Sequence, residues 1–317
     1  MKLGAPLVKL PRQYCAETLA EEVAALPRSA WLPHPGRIPG NDAVPLITPS
    51  GQVTNGFAGP MAPTDALQQC RYIMEILADL GAVWGRSRLM GLAPASVVPE
   101  HVDVGYYWRT HIRIHIPVVT NPGVAFSCDK ETVHMAPGEC WLFDSFCPHH
   151  VRNDGDAKRV HLVLDTVGGE KLWAMIAAAK QIGRDGQSPV RVTPGSVGAR
   201  PLAYEQVNLP TIMSVWEIRC HVDFLIQQCA ATPARDAVAA RLEQFANGWG
   251  ALWAQYGADA AGIGAYRQLL DQVQRDLQRL EVQRILLDGN DVPLERALTE
   301  LIFMVAAPNS LPAAAAA

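Results

Sequence analysis

Arg113-Ile114-His115-Ile116-Pro117-Val118 alternates between two sets of side chains at a period of two. That is the period of a strand with one face buried. Val160-His161-Leu162-Val163-Leu164-Asp165 repeats the pattern. Outward from these two runs, further short strands are predicted over 82–92, 111–119, 124–128, 131–135, 140–144 and 160–166. Pro137-Gly138-Glu139 is the turn between two of them. Many short strands with turn punctuation predict an antiparallel barrel or a double-sheet jelly roll. No βαβ alternation and no glycine-rich phosphate loop is present, which disfavours a nucleotide-binding α/β fold.

Helical patterns lie on both sides of this β region. Ala16 to Leu26 reads as an amphipathic helix, and Pro63 to Leu80 as a helix opening near Thr64 or Asp65. Trp31 to Gly59 reads as turn-rich chain that wraps the core. Beyond about residue 170 the composition shifts to Ala, Leu, Gln and Arg, which are strong helix formers. Helices are predicted over Glu170 to Ile182, Met213 to Ala230, Arg235 to Tyr256, Ala261 to Leu287 and Val292 to Val305. A Pro/Gly/Ser-rich passage, Gln187 to Pro210, separates the first of these from the rest. The predicted class is α+β: a jelly-roll core over 1–169 with flanking N-terminal helices, a helical C-terminal region over 170–307, and a frayed tail over 308–317.

The chain's 317 residues suffice for a large buried core, and 49% of them are hydrophobic. A net charge of -4 provides no basic field for nucleic acid or anionic lipid. Seven scattered cysteines without a CxxC pair suit neither a zinc ribbon nor a disulfide scaffold. They suit a reducing cytosol. The first residues lack the apolar core of a signal peptide, and no apolar run approaches the ~20 residues of a membrane span. The expectation is a cytoplasmic protein that acts on a small molecule or peptide.

His101-Val102-Asp103 supplies an imidazole and, two residues on, a carboxylate; Pro94 and Pro99 keep the approach extended. In an extended segment both side chains can face one metal ion. Cys147-Pro148-His149-His150-Val151-Arg152-Asn153 carries a second imidazole. Adjacent strand residues point to opposite faces, so either His149 or His150 can complete the set, but not both. Two histidines and one carboxylate form the facial triad of non-haem Fe(II) oxygenases. Three coordination positions then remain for a bidentate 2-oxo acid and O₂.

Arg159, ten residues past His149, opens the second alternating run. Its guanidinium suits the distal carboxylate of 2-oxoglutarate, against the plainer reading of a surface salt bridge. Arg113 and His115 share a strand face, and either could donate to the same cosubstrate. For His115 the plainer reading is a satisfied core histidine. Tyr106, Tyr107 and Trp108 could wall a substrate or simply pack. Arg88, Arg109 and Arg152 are candidates to pair with a substrate carboxylate. The helical region could close over the site, recognise a peptide, or form a homodimer interface. Two rival classes are a non-catalytic cupin-type binding protein and an O₂-independent metal isomerase or hydrolase. Neither needs Arg159.

At these residues the chain resembles the aspartyl/asparaginyl β-hydroxylase family, in its bacterial amino-acid hydroxylase branch. The matching segments are Arg88 to His101, Arg113 to Val118, Gly138 to Asp144, Pro148 to Asn153 and Arg159 to Asp165, covering roughly residues 80 to 168. The resemblance implies a double-stranded β-helix, Fe(II), 2-oxoglutarate and O₂, and hydroxylation of an unactivated C–H bond of an amino acid, free or peptide-borne. It implies metal binding by His101, Asp103 and His149, which selects His149 over His150. It implies 2-oxoglutarate binding by Arg159, with His115 as a second contact. The family's small polar cosubstrate contact on the strand before the metal segment has no counterpart here, where Met90 or Arg88 falls.

Overall fold

The computed structural model describes residues 2–34, 38–183, 186, 188–198 and 200–307; the predicted tail over 308–317 lies outside them. The chain lays down β1 (Leu7–Tyr14), α1 (Ala16–Ala25), β2 (Leu32–Pro33), β3 (Asn41–Pro49), β4 (Met61–Pro63), α2 (Asp65–Gln68) and α3 (Arg71–Leu80). Eight strands follow: β5 (Val83–Leu92), β6 (Ser96–His101), β7 (Ile112–Val119), β8 (Val124–Cys128), β9 (Glu131–Val133), β10 (Glu139–Phe143), β11 (His149–Asn153) and β12 (Arg159–Gly168). The short helix α4 (Tyr106–Thr110) interrupts them after β6, and α5 (Glu170–Ile182), β13 (Val190–Val192) and β14 (Ala203–Tyr204) come after. The remaining helices are α6 (Val215–Gln227), α7 (Pro233–Tyr256), α8 (Ile263–Arg279) and α9 (Leu294–Leu298).

The eight strands divide between two sheets. One holds β10-β7-β12-β5 in that order, widened by β13 and β1 beyond β10 and by β3 and β2 beyond β5; the other runs β6-β11-β8-β9. Apart from β8 and β9, which pair within one sheet, successive strands cross from sheet to sheet, and the pairings among the eight are antiparallel. This is the double-stranded β-helix, or jelly roll, of the predicted α+β class.

The period-two pattern sorts the large sheet's side chains. Ile114 and Ile116 of β7, Leu162 and Leu164 of β12 and Leu142 of β10 join the core formed with Leu19 of α1, Ile73 and Ile76 of α3 and Leu172 of α5. Arg113, which is half-buried, and His115, Arg159, His161 and Asp165, which are buried, alternate with them. An apolar cluster of Leu7, Leu92, Phe126, Cys128, Trp141, Phe143 and Val151 spans strands of both sheets. The interior between the sheets is therefore mixed, with aromatic rings beside buried cations and imidazoles.

Several elements differ from the sequence expectation. The stretch 31–59 holds β3, a nine-residue strand paired with β5, and β1 was not expected. Both carry a proline where the ladder breaks register: between Pro45 and Ile47 in β3, and between Leu10 and Gln13, around Pro11, in β1. Proline donates no ladder hydrogen bond and sits at such irregularities. The helix expected over 63–80 breaks into α2 and α3. That expected over 261–287 stops at Arg279, two residues before Glu281, which has φ 54. That expected over 292–305 is α9 followed by a π-helical turn over Thr299–Phe303. No described helix is long and apolar enough to cross a membrane.

The chain forms two compact units: the described residues of 1–103 with 110–208, and those of 104–109 with 209–317. The division does not follow the expected boundary at 169. Helix α5 buries Leu172, Ile176 and Ala179 in the sheet core. Farther on, Glu205 accepts from His111 Nε2 at 2.7 Å, and Asn208 donates to the Phe57 carbonyl at 2.7 Å. These contacts tie the passage after α5 to the first unit.

Candidate metal and anion site

His101 ends β6 and His149 begins β11, and the two are register partners across that pair. Their ring centroids lie 4.2 Å apart. Asp103 lies past the end of β6, rather than on the strand, and its amide donates to the Ser145 carbonyl at 3.0 Å. The ligand atoms of His101, Asp103 and His149 all lie within 4.8 Å of one another. No other residues form such a metal-capable group among those described.

The two imidazoles are oriented in the same way. His101 Nδ1 faces the Pro99 carbonyl and His149 Nδ1 the Cys147 carbonyl, each at 2.9 Å and each two residues back. A carbonyl can only accept, so each Nδ1 carries the proton and each Nε2 presents a lone pair. His149 Nε2 is buried without a hydrogen-bond partner and lies 4.0 Å from Asp103 Oδ2. Burial holds His149 in its neutral, ligating form, with a pKa pushed down to about 4 against the opposing pull of Asp103. Two imidazole nitrogens and one carboxylate oxygen fit a first-row divalent ion. The unpartnered Nε2 is the polar atom that such an ion would satisfy.

Behind Asp103 stands Arg113. Its Nη1 is 3.5 Å from Asp103 Oδ2, while its Nε donates to Asp165 Oδ1 at 2.8 Å. Arg86 Nε lies 3.7 Å from Asp165 Oδ2. Burial alone would raise the Asp165 pKa, but Arg113, Arg86 and Arg88 together outweigh it and hold the group below the ordinary carboxylate value. Arg113 is thus engaged by two carboxylates, a placement that steadies Asp103. Asp165→Asn should cost about 3–5 kcal/mol of stability, because it leaves buried guanidinium groups without their shared carboxylate. Denaturant unfolding checks this.

Arg159 occupies a second region of the same interior. It is 4% exposed, its Nε has no hydrogen-bond partner, and burial pushes its pKa down to about 9. No carboxylate pairs with it among the described residues. Its Nη2 lies 2.7 Å from His161 Nδ1, and His115 Nδ1 is 3.4 Å from that same nitrogen. The Nε2 atoms of His115 and His161 are buried and unpartnered. Each orphaned buried donor or acceptor costs about 1–3 kcal/mol unless a polar partner satisfies it. The His115 ring packs edge-on against Phe126 at 5.3 Å and Phe143 at 5.4 Å, and Phe143 in turn reaches His149 at 4.7 Å. An aromatic bridge thus links the triad to the Arg159 pocket.

His161 was not singled out in the sequence. The available signal was parity: it shares a strand face with Arg159 and Asp165, while its neighbours Val160 and Leu162 belong to the apolar core.

The remaining candidates are placed as follows. Arg88 is buried on β5 beside the Asp165 cluster. Arg152 does not join the site: it has the opposite parity to His149, its side chain is 55% exposed, and it pairs with Asp154 at 3.0 Å. His150 shares that outward parity and lies 3.7 Å from Glu100. Tyr106, Tyr107, Trp108 and Arg109 lie on α4, in the second compact unit. There Tyr106 donates to Glu217 at 2.9 Å, Tyr107 packs edge-on against Trp108 at 4.9 Å, and Arg109 lies 4.0 Å over the Phe224 ring.

The buried histidines make the first unit sensitive to acid. Burial, chiefly, lowers His149 from its ordinary 6.5 to about 4, and lowers His115 and His161 well below 6.5, with Arg159 adding to both. Below pH 6.5 the unfolded chain binds protons that the folded protein refuses. Stability therefore falls as the pH drops from 6.5 toward 4. The slope reaches about 1.4 kcal/mol per pH unit for each histidine. The melting temperature of the metal-free protein should decline steadily from pH 7 to pH 5; a flat profile would contradict neutral burial.

Residues 57–168 match the aspartyl/asparaginyl beta-hydroxylase family model. The chain is 28% identical over 109 residues to an L-proline cis-4-hydroxylase of Rhizobium meliloti, a match covering 33% of this chain and 39% of that enzyme. The match thus spans well under half of that relative's length. Among solved structures, it is similar to a prolyl-4-hydroxylase of Pseudomonas putida (14% identity, 52% of this chain and 94% of that one, TM-score 0.35). It is also similar to a 2OG-Fe(II) oxygenase family oxidoreductase of Burkholderia pseudomallei (14% identity, 49% and 80%, TM-score 0.37). The segment matched by the family model, residues 57–168, is the one that carries the triad and Arg159.

Proposed function

We propose that the protein is an Fe(II)- and 2-oxoglutarate-dependent dioxygenase that hydroxylates an unactivated C–H bond of an amino acid, free or within a peptide. The observation that carries this reading is the pairing of two features in one interior: a metal-capable triad, and a buried guanidinium with no carboxylate partner among the described residues. A metal-binding protein that used no acidic cosubstrate would have no reason to bear the cost of burying Arg159. The amino-acid substrate rests on the similarity to L-proline cis-4-hydroxylase.

His101, Asp103 and His149 would hold the iron. The bound metal supplies the oxidising chemistry, using O₂ and the 2-oxo acid. The protein's part is positioning. The Pro99 and Cys147 carbonyls fix the imidazoles. Arg113, held by Asp165, steadies the Asp103 carboxylate. Arg159 pairs with the distal carboxylate of 2-oxoglutarate, and its burial strengthens that pairing. Phe126 and Phe143 line the space between with rings that keep water out.

Incubation with Fe(II), 2-oxoglutarate, air and a panel of amino acids and peptides tests the proposal. The expected result is substrate-stimulated release of succinate and CO₂, with a product heavier by one oxygen atom that derives from O₂. Turnover that needs neither O₂ nor 2-oxoglutarate would overturn it in favour of an isomerase or hydrolase.

A further inference from the structure

Asp103 stands outside regular structure. Strand β6 ends at His101, and residues 102–105 belong to no strand or helix. Only Val104 and Gly105 separate Asp103 from Tyr106, the first residue of α4. That helix has five residues. An isolated helix in water needs about 12–15, so the order of α4 must come from packing.

Its side chains pack against α6. Tyr106 donates its hydroxyl proton to Glu217 at 2.9 Å, and its ring meets His221 edge-on at 5.6 Å. Arg109 lies 4.0 Å over the Phe224 ring. Tyr106 and Arg109 are three apart on α4. Glu217, His221 and Phe224 fall at i, i+4 and i+7 on α6, so one face of each helix meets the other. Glu217 is itself fixed, because its second carboxylate oxygen accepts from the amide and the hydroxyl of Ser214 in the capping box that opens α6. Both helices lie in the second compact unit, whereas Asp103 ends a segment of the first.

We propose that Tyr106 is a positioning residue for the metal: through its bond to Glu217 it anchors α4, and so fixes the backbone that carries Asp103. The inference rests on the proposed reading of Asp103 as a metal ligand. It assigns the helical unit a part in metal binding without placing any of its side chains on the ion. The link is the covalent chain. Coupling of this kind is reciprocal, so a metal bound at Asp103 also orders α4.

Tyr106→Phe tests this, since it removes the hydroxyl and keeps the ring. Mn(II) binding to the full-length protein is followed by equilibrium dialysis, and hydrogen exchange of the amides over 104–110 is read with and without the ion. The Mn(II) dissociation constant should rise by about three- to tenfold, within the range of coupling carried through packed elements. Without metal, exchange over 104–110 should be faster than in the parent protein, and Mn(II) should slow it in both. Arg109→Met removes the cation over Phe224 and keeps an unbranched stem. It should act in the same direction, and it decides the matter if the phenylalanine variant fails to fold. Arg241→Ala is the control. It breaks the 3.0 Å ion pair with Asp276 that joins α7 to α8, and should leave Mn(II) affinity within about twofold. Unchanged affinity in a folded Tyr106→Phe variant, or an equal loss in Arg241→Ala, would make the α4 contacts ordinary packing and overturn the inference. If the parent protein itself held no Mn(II), the metal reading of the triad would fall, and the inference with it.

Discussion

Asp103→Ala should strip the protein of its metal. Removing one of three ligands is more severe than removing a supporting hydrogen bond, which alone typically costs 10–100-fold in affinity. The expected result is an Fe(II) dissociation constant raised by more than about a hundredfold, with oxygenase activity lost in proportion. His101 and His149 would remain, but two neutral imidazoles offer no charge to balance a dication. The Arg113 guanidinium, 3.5 Å from the missing carboxylate, would then face the ion and oppose it. Equilibrium dialysis with Fe(II), or with Mn(II) as an air-stable probe, checks this. Arg113→Lys gives the graded comparison. It keeps the charge but loses the planar fork that reaches Asp165 and Asp103 together. Metal affinity should fall by about tenfold, less than in Asp103→Ala.

Arg159→Leu should separate binding from stability, in opposite directions. Loss of the anchor for the distal carboxylate should raise the 2-oxoglutarate requirement by about a hundredfold, the worth of a buried charged hydrogen-bonded pair. The metal-free protein should nevertheless hold its stability or gain about 1–4 kcal/mol. In that state the guanidinium is a buried charge without a carboxylate partner, and an apolar side chain relieves its desolvation. Thermal unfolding beside a 2-oxoglutarate titration reads both effects. A variant that lost stability while binding cosubstrate normally would make Arg159 a structural residue.

The fold was legible where alternation was clean. The runs in β7 and β12 have Ile114, Ile116, Leu162 and Leu164 on one face and Arg113, His115, Arg159 and His161 on the other, so period-two reading placed both strands and their polar face. It failed at β1 and β3, where Pro11 and Pro45 interrupt the pattern at the points where the ladder slips register. A proline in a strand and a proline in a turn look alike until the pairing partner is known.

The triad was legible because each member is chemically distinctive and local geometry does much of the work. Each histidine is oriented by the carbonyl two residues before it. Arg152 was misread because the strand's inward parity had already been given to His149. The surroundings of Arg113 and His161 were not legible: the Asp165 partner of Arg113 is 52 residues away in sequence, and the contact of His161 with Arg159 shows only in the fold.

The most direct test of the account is a crystal structure of the protein grown without O₂ in the presence of Fe(II) and 2-oxoglutarate. The account predicts one ion bound by the Nε2 atoms of His101 and His149 and by the Asp103 carboxylate, with the far carboxylate of the 2-oxo acid on Arg159. An ion bound elsewhere, or a 2-oxo acid that leaves Arg159 untouched, would contradict it.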